Sequence, residues 1–471
     1  MASRPDPVPS TGVPGSPTRR VVVVGGGASG GMTAMQLLGR VAAGVEVLVI
    51  EPRETLGGGI AYSTSAPWHR INVPARTMGA LPDDPDDFRR WTGAEPASFP
   101  PRGAWGAYLA ARLAEAARGS TGSLRHLRTT AERLVDRDAG GRAGIDVRLA
   151  GGETIVADAV VLATGNALPP VPAWLAPVRD DPRVVVDAWA GGALDVVGDA
   201  ERVAILGTGH TAVDVAETIL RTRPRCHLVA VSRHGELPRV HEDPPRVRPS
   251  TPVFDVEAFR GFEDPLADGR ARIATHPEGW RQGLDSLRPL HQALWLGMDD
   301  GLRRRFLDGR RTWEVHRSRL AAEVRRELDA WVEAGRLELR PFEVRSVAAA
   351  DDGLRLTSTD GAVLLADRVV LATGPDERPG ATPLLRAGIE DGLLRPGPLG
   401  LGIDADPATL RVLDASGSSG RPVHALGPIL RGVLWETIAV PEIRAQAARS
   451  AEEIGAALRG DRRTAQHLPA D

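Results

Sequence analysis

The sequence contains no lysine, and its 58 basic residues are all arginines. Mechanisms that need a lysine amine are therefore excluded, among them Schiff-base chemistry and phosphate binding by a P-loop ammonium. The single cysteine, Cys226, excludes internal disulfides, C-x-x-C redox pairs and sites built from four cysteines. A chain without disulfides suits a reducing compartment, and we expect it to be cytoplasmic.

Neither strong charge nor a long apolar run is present. The 58 arginines are balanced by 61 acidic residues, so no strong field attracts nucleic acid or an anionic membrane. No run of about 18 apolar residues exists, which argues against a membrane-spanning helix. Residues 1–18 are rich in Pro, Ser and Gly, which predicts a disordered tail rather than a signal peptide. The 471 residues leave room for about three domains.

A strand pattern, a glycine loop and a helix pattern follow one another in RVVVVGGGASGGMTAMQLL. Gly25, Gly27 and Gly30 occupy the glycine positions of G-x-G-x-x-G. They allow a tight turn, the approach of a pyrophosphate and close helix–strand packing, respectively. The next strand pattern, VEVLVI, ends on Glu51, about 20 residues beyond the last glycine, where an acid binds an adenosine ribose. This order predicts a dinucleotide site.

A second fingerprint lies in RVAILGTGHTAVDVAETIL, with Gly207, Gly209 and then Ala212 in the third position, where alanine is tolerated. The following strand pattern, HLVAV, ends in Ser232-Arg233 instead of an acid. A hydroxyl and a guanidinium there would bind the 2′-phosphate that an acid repels. We therefore expect NADPH as the nicotinamide cofactor; the alternative is that Arg233 is one more solvated arginine.

Both copies close in the same way. The strand patterns GIDVRLA and ETIVA precede ADAVVLATG at 157–165, and GLRLTST and GAVLLA precede ADRVVLATG at 366–374. The sequence therefore predicts an α/β fold with two Rossmann-like units. The last two residues of each closing strand complete the two predicted sites: Thr164, Gly165, Thr373 and Gly374.

With these features the chain resembles the flavoproteins that carry two dinucleotide-binding domains, the first for FAD and the second for NAD(P)H. More narrowly, it resembles a family of FAD/NAD(P)-binding proteins in stretches spread over residues 20–450. They are GGGIAYST (57–64), HRINVPARTMGALPDDPDDFRRW (69–91), LGTGHTAVD (206–214), VSRHGELPRVH (231–241), RFLDGRRTWEVHRSRLAAEV (305–324) and HALGPILRGVLWETIAVPEIRAQ (424–446). The resemblance implies a discontinuous FAD-binding domain, 19–197 and 377–471, with an NADPH-binding domain, 198–376, inserted into it.

The resemblance also implies contacts with FAD near the N-terminal half. Gly58 is expected beside FAD, although Gly57-Gly58-Gly59 could form only a flexible turn. Asn72 and Val73 are expected near the flavin ring, with Asn72 as a hydrogen-bond partner; as turn residues, Asn and Pro could merely begin a loop. The backbone at Arg133 corresponds to the place where related flavoproteins hold the adenine.

Further contacts are implied near the C-terminus. Gly427-Pro428 stands where related enzymes carry a Gly-Asp pair beside the ribityl-phosphate arm, so backbone would replace the acidic contact here. Trp435 and Thr437 are expected near the flavin, although Trp435 could be an ordinary core aromatic. A final helix is predicted from about residue 441. The remaining predicted cofactor contacts lie in the two glycine loops: Ser29, His210 and Thr211.

A helical insert is predicted at about 240–335, where the chain exceeds a minimal dinucleotide unit. It contains a Pro-rich loop and three helix patterns, the last with Ser318 as N-cap and Gly335 as its stop. The insert either covers the sheet or gates a substrate pocket with His241 or His316. The catalytic side chains stay undetermined, with Asn72, His241 and Trp435 as candidates. No metal site is expected, because His241-Glu242 lacks a second histidine at helical spacing.

The resemblance implies a single-component flavin monooxygenase of the N-hydroxylating or class B type, using FAD, NADPH, O2 and a small-molecule substrate. Residues 184–192 lack the histidine of the Baeyer–Villiger motif, which argues against that reaction. Two alternatives stay open: a reductase or dehydrogenase without oxygenation, and a redox sensor with FAD as a structural ligand. No nucleic acid or membrane partner is expected, and a homodimer is left open.

Overall fold

The computed structural model describes residues 19–137, 144–246 and 251–460; the tail predicted at 1–18 lies outside them. The strands are β1 (Arg19–Val24), β2 (Val45–Ile50), β3 (Ser123–Leu127), β4 (Ala131–Arg137), β5 (Gly144–Leu149), β6 (Thr154–Ala157), β7 (Ala159–Leu162), β8 (Val184–Val185), β9 (Arg202–Leu206), β10 (His227–Ser232), β11 (Leu337–Pro341), β12 (Val344–Ala350), β13 (Gly353–Ser358), β14 (Val363–Ala366), β15 (Arg368–Leu371) and β16 (Val423–Ala425).

The α-helices are α1 (Ala28–Leu38), α2 (Gly59–Tyr62), α3 (Asp87–Thr92), α4 (Arg102–Gly119), α5 (His210–Thr222), α6 (Val256–Arg260), α7 (Pro265–Ala274), α8 (Trp280–Ser286), α9 (His291–Gly297), α10 (Asp300–Asp308), α11 (Arg310–Arg317), α12 (Ala322–Glu333), α13 (Pro383–Glu390) and α14 (Val440–Arg459). Short 3₁₀ helices cover Ala75–Thr77, Ala176–Val178, Ala193–Val197, Arg288–Leu290, Pro398–Gly400 and Pro428–Leu430. Within the described ranges, no helix is both long and apolar enough to cross a membrane.

The first sheet is parallel and runs in the order β16-β7-β1-β2-β3. All six residues of β2 and all four of β7 are buried, as expected in a parallel sheet covered on both faces. Its edge strand β16 pairs with β7, with Val423 opposite Val160. The C-terminal part of the chain therefore completes a sheet that the N-terminal part begins.

The second sheet repeats this topology, in the order β11-β10-β9-β15-β8. In both units the fingerprint strand lies between the closing strand and the strand that follows the first helix. A three-stranded antiparallel sheet precedes each closing strand, β4-β5-β6 in the first unit and β12-β13-β14 in the second. The structure thus confirms the predicted α/β fold with two Rossmann-like units and the predicted strands of both copies.

The insert differs from its prediction. Seven helices, α6 to α12, replace the three predicted patterns, because Pro265, Gly279 and Gly309 interrupt the helical run. The last of them begins at Ala322, so the prediction of Ser318 as its N-cap is wrong. The reason is a long-range contact: the backbone of Leu320 exchanges hydrogen bonds with Arg239 and His241, which holds this segment extended.

Helix α5 of the second unit packs onto the first unit through buried polar groups. The Arg102 guanidinium, at the start of α4, donates to Asp214 Oδ2 at 2.6 Å. Their side chains are 13% and 4% exposed, so the pair is shielded from water. His69 adds contacts from its Nε2 to the Asp214 carbonyl (3.1 Å) and to Thr218 Oγ1 (2.9 Å). The two units are thus joined by paired polar groups rather than by apolar packing alone.

The same helix buries a second carboxyl group, Glu217, which is 1% exposed. Burial, with Asp214 nearby, raises the pKa of Glu217 to about 8, whereas its ordinary value is 4.5. The folded protein therefore keeps a proton there that the unfolded chain loses above about pH 5.

We predict that Glu217→Gln removes this source of pH-dependent stability. Between about pH 5 and 8 the wild type should lose up to about 1.4 kcal/mol per pH unit relative to the variant, because only its unfolded state is deprotonated there. Urea unfolding at pH 5, 6, 7 and 8 measures this difference. The exposed helical residue Glu452 supplies a matched control, Glu452→Gln. Parallel pH profiles for Glu217→Gln and wild type would contradict the prediction.

Candidate functional site

The first glycine loop is held against the end of β7. Gly25 has φ +98°, a conformation that side chains other than glycine rarely adopt, and a Cβ there would overlap the Ala163 carbonyl oxygen. A Cβ at Gly30 would overlap the Gly25 carbonyl oxygen, so this glycine permits the close approach of α1 to the loop. These contacts place the N-terminus of α1 at the carboxyl end of the first sheet, where dinucleotides bind in such folds.

Glu51 lies beside this loop at the end of β2. Its Oε2 accepts a hydrogen bond from the Gly26 N–H at 2.8 Å, and its Oε1 accepts from the backbone and guanidinium of Arg53, both at 3.1 Å. The residue is 4% exposed. The structure therefore brings the carboxylate and the glycine loop together, with acceptor capacity left for a ribose hydroxyl.

A C-terminal segment closes the opposite side of the loop. A Cβ at Gly427 would lie 2.7 Å from Ser29 Oγ, so these two segments come close only because residue 427 is glycine. The Gly427 N–H donates to Gln446 Oε1 at 2.8 Å, and the Thr437 hydroxyl donates to the Gly427 carbonyl at 2.8 Å. Pro428 begins the 3₁₀ helix that follows. Gln446 lies on α14 and reaches this segment only through packing, so no sequence pattern indicates it.

Several features of the loop fit a bound FAD. No side chain caps α1, so its first N–H groups can bind phosphate. A Cβ at Gly27 would meet Gly59 Cα at 3.2 Å, which places Gly59, the neighbour of Gly58, against the loop. The Thr164 hydroxyl is buried and has no hydrogen-bond partner among the described residues, and the adjacent Gly165 faces open space. The glycine loop, the uncapped N-terminus of α1 and the unpaired Thr164 hydroxyl therefore lie together at the end of the first sheet.

The second glycine loop has the same construction. Gly207 has φ +126°, and a Cβ there would overlap the Ala372 carbonyl oxygen, one residue before Thr373. Gly209 and Gly374 both face open space, and no side chain caps α5. Ala212 is buried in the third position, which confirms that the packing here accommodates a methyl group.

The end of β10 places Ser232 and Arg233 beside this loop. Ser232 Oγ lies 3.0 Å from Thr208 Oγ1 and accepts the Gly235 N–H at 3.0 Å. The Arg233 side chain is exposed and makes no ion pair or hydrogen bond with the described residues. Arg311, which sequence analysis missed, donates to Thr208 Oγ1 (3.3 Å) and to the Glu236 carbonyl (2.9 Å). The Arg311 guanidinium thus lies against the loop, and Arg233, next to Ser232 in the chain, is left free to bind a ligand there.

The first two helical positions of α5 are His210 and Thr211. Burial lowers the pKa of His210 to about 4, and its Nε2 lies 3.4 Å from the Arg319 carbonyl oxygen. A neutral ring at this helix N-terminus adds no charge to the site.

A cavity of about 820 Å³ lies between the 72–74 loop, the insert and the start of α14. Two catalytic candidates meet in its wall: His241 Nε2 lies 3.0 Å from the Asn72 carbonyl oxygen, and Val73 lines the cavity beside them. Burial lowers the pKa of His241 to about 4, so its ring is neutral near pH 7. Seven arginines and three carboxylates line this cavity, which gives it a net positive charge suited to anionic groups.

The catalytic candidate Trp435 and the predicted adenine contact Arg133 lie outside this cavity. Trp435 packs against Trp295 and Phe306, with the Arg431 guanidinium 4.2 Å from its ring centre, and does not line the cavity of Asn72 and His241. The Arg133 guanidinium pairs with Asp391, the residue that follows α13, with Nε–Oδ2 at 2.6 Å. Its side chain is therefore engaged in the structure of the first unit, while the expected adenine contact concerns only its backbone. Among the described residues, no group of three or more metal-ligating side chains occurs.

The sequence matches the profile of the FAD-NAD(P)-binding family over residues 22–167 and 204–376, which contain both glycine loops and both closing strands. The chain belongs to the FAD-NAD(P)-binding family. Membership confirms the predicted resemblance and the predicted cofactors, FAD and a nicotinamide dinucleotide. A search of curated proteins found no significant match.

Solved structures share the fold over nearly the whole chain. L-lysine 6-monooxygenase from Pseudomonas syringae is 18% identical, with a TM-score of 0.63 over 94% of this chain and 99% of that one. Reduced ornithine hydroxylase PvdA from Pseudomonas aeruginosa is 17% identical, with a TM-score of 0.61 over 93% and 99%. Ornithine N-hydroxylase from Kutzneria sp. 744, with reduced FAD, NADP+ and L-ornithine, is 18% identical, with a TM-score of 0.60 over 94% and 100%.

We predict that Gly27→Val weakens FAD binding roughly 100-fold, because the added side chain meets Gly59 and occupies the space of the pyrophosphate; overpacking costs up to about 3 kcal/mol. FAD titration by flavin fluorescence measures the affinity, and thermal unfolding without FAD checks the fold. Gly119→Val is the control, since a Cβ at Gly119 meets nothing within 4 Å. Wild-type FAD affinity in Gly27→Val would show that FAD does not bind at this loop.

Proposed function

We propose that this protein is an FAD-dependent, NADPH-using monooxygenase that acts on a small molecule. The observation that carries the proposal is one chain with two glycine loops of the same construction, in a fold shared along its length with lysine and ornithine hydroxylases. Bound FAD would accept hydride from NADPH and react with O2, which is chemistry that the protein orients rather than supplies.

The protein's own residues bind and orient the cofactors in this proposal. The N-terminus of α1, Glu51 and the Gly427 segment hold FAD, and the N-terminus of α5 with Arg233 holds NADPH. His241 is a positioning residue: as a neutral ring it donates from Nε2 to the Asn72 carbonyl and fixes the loop beside the cavity.

We propose the domain division expected from the sequence: an FAD-binding domain at 19–197 and 377–471, and an NADPH-binding domain at 198–376. The pairing of β16 with β7 supports it, because the first sheet lacks an edge strand without the C-terminal segment.

The test of the proposal is NADPH oxidation by the FAD-loaded protein. Without O2, NADPH should reduce the flavin, and the flavin's absorbance band at about 450 nm should disappear. With O2 and a substrate, oxygen uptake should be matched by a product heavier by one oxygen atom in mass spectrometry. Flavin reduction without product across substrates would favour a reductase, and a flavin that NADPH does not reduce would favour a redox sensor.

We predict that Arg233→Ala raises the apparent KM for NADPH roughly tenfold or more and leaves that for NADH unchanged. A charge-assisted contact with the 2′-phosphate contributes about 1.5–3 kcal/mol, and each 1.4 kcal/mol is about tenfold. The rate at saturating NADPH should stay the same, since the contact is equal in ground and transition states. Anaerobic flavin reduction with both nucleotides measures it, with the exposed Arg225→Ala as control. An unchanged preference would show that Arg233 is only a surface charge.

A further inference from the structure

A second cavity, which we call the insert cavity, lies among helices α6 to α11. Its volume is about 440 Å³, within the range of small-molecule sites. Aromatic rings dominate its lining: Phe254, Phe259, Trp280, Trp295, Phe306 and Trp313. Trp435, from the C-terminal segment of the first unit, lines it as well. The prediction that His316 faces a pocket applies to this cavity, where its Nδ1 is engaged with the Thr312 carbonyl at 2.8 Å.

One polar side chain in the insert cavity lacks a partner. His291, at the start of α9, is 6% exposed and lines the cavity. Neither of its ring nitrogens has a hydrogen-bond partner among the described residues, and the nearest carboxylate oxygen, Glu436 Oε1, lies 3.9 Å from Nδ1. Burial lowers the pKa of His291 to about 3, so the ring is neutral and offers one donor and one acceptor. Buried polar groups without a partner are rare, and this one faces space that a ligand can fill.

The electrostatics of the insert cavity exclude a free amino acid. Its lining residues include one arginine, Arg270, which is exposed, and no carboxylate. A zwitterion in the cavity would leave a buried ammonium or carboxylate without a counter-charge, which is strongly unfavourable. The cavity of Asn72 and His241 has the opposite character, with arginines and carboxylates throughout.

The insert cavity is joined to the FAD side of the molecule through α9. Trp295 Nε1 donates to the Gly432 carbonyl at 3.2 Å, and Gln292 Nε2 donates to the Glu436 carbonyl at 2.5 Å. Two residues beyond Trp435, the Thr437 hydroxyl binds the Gly427 carbonyl beside the first glycine loop. The wall of the insert cavity is therefore continuous with the segment that closes the predicted FAD site.

We propose that the insert cavity binds the substrate's apolar part, and that the substrate is a neutral aromatic or alkyl molecule whose hydroxyl or aromatic amine group pairs with His291. The proposal rests on the proposed monooxygenase function and specifies its substrate class. Aromatic side chains supply the apolar contact, and the unpartnered imidazole supplies the one directional contact. Lysine and ornithine, which appear in the names of the three similar structures, do not fit this description.

The test uses two probes on the full-length, FAD-loaded protein by isothermal titration calorimetry: 4-propylphenol and propylbenzene, which lacks the hydroxyl. His291→Phe should weaken 4-propylphenol binding about tenfold and leave propylbenzene binding unchanged, because it removes only the hydrogen bond. The thermal unfolding midpoint should not fall, since an unpaired buried polar group is replaced by an apolar ring of similar size. A merely structural histidine would affect both probes equally or neither.

A cavity-filling variant makes the test independent of His291. Gly269 lines the insert cavity, and a Cβ there contacts the Phe254 ring at an ordinary 3.4 Å, so Gly269→Leu extends into the empty space. It should weaken both probes at least tenfold, whereas Gly119→Leu, on the exposed end of α4, should change neither. Equal affinities in wild type and Gly269→Leu, or no binding to wild type, would overturn the proposal.

Anaerobic flavin reduction by NADPH, measured on the same preparations, separates the two proposals. A flavin that NADPH reduces, with no probe binding, overturns the substrate class alone. A flavin that NADPH does not reduce overturns the monooxygenase function whatever the probes do.

Discussion

The buried ion pair between Arg102 and Asp214 is the contact on which the relation between the two dinucleotide units depends. Arg102 begins α4 of the first unit and Asp214 lies on α5, directly behind the second glycine loop. Loss of either partner while the two units stay packed together would leave the other charge buried without its counter-charge, a far larger penalty than the pair's own net contribution to stability. His69 reinforces the junction from the first unit. Since hydride transfer between two bound cofactors needs a fixed geometry, an interface held by directional polar contacts suits the proposed reaction better than an apolar one that could slide.

Within each unit the corresponding constraint is the contact between the glycine loop and the closing strand. Gly25 packs on the Ala163 carbonyl, and Gly207 packs on the Ala372 carbonyl, so the same overlap forbids a side chain in both copies. The repeat in the sequence therefore reflects the same contact between glycine loop and closing strand, formed once in each unit. The two copies differ in how closely the first helix approaches the glycine loop. Gly30 of α1 leaves no room for a Cβ, whereas Ala212 in the matching position of α5 has one.

Sequence patterns predicted the sheets and both glycine loops well, because these depend on local apolar runs and on glycines at fixed spacing. They predicted the insert poorly. Its short helices are ended by prolines and glycines, and α12 starts late because Leu320 pairs with a segment some eighty residues away in the chain, at Val240. Contacts such as His241 with the Asn72 carbonyl, or Gln446 with Gly427, join distant parts of the chain and leave no periodic signal. The glycine loops could thus be read from spacing, whereas the cavity walls could not.

Helix α9 separates two cavities of opposite character, one lined by arginines and carboxylates and the other by aromatic rings. Gln292 and Ala293 face the arginine-rich cavity, while His291 and Leu294 face the aromatic one. A helix presents residues three or four apart on one face, so a single turn supplies both surfaces. Mixing the two linings in one pocket would force the proposed substrate's apolar surface against guanidinium groups and would remove water from those charged groups. Placing the two linings on opposite faces of one short helix avoids this cost. Consecutive residues of α9 then line two different cavities.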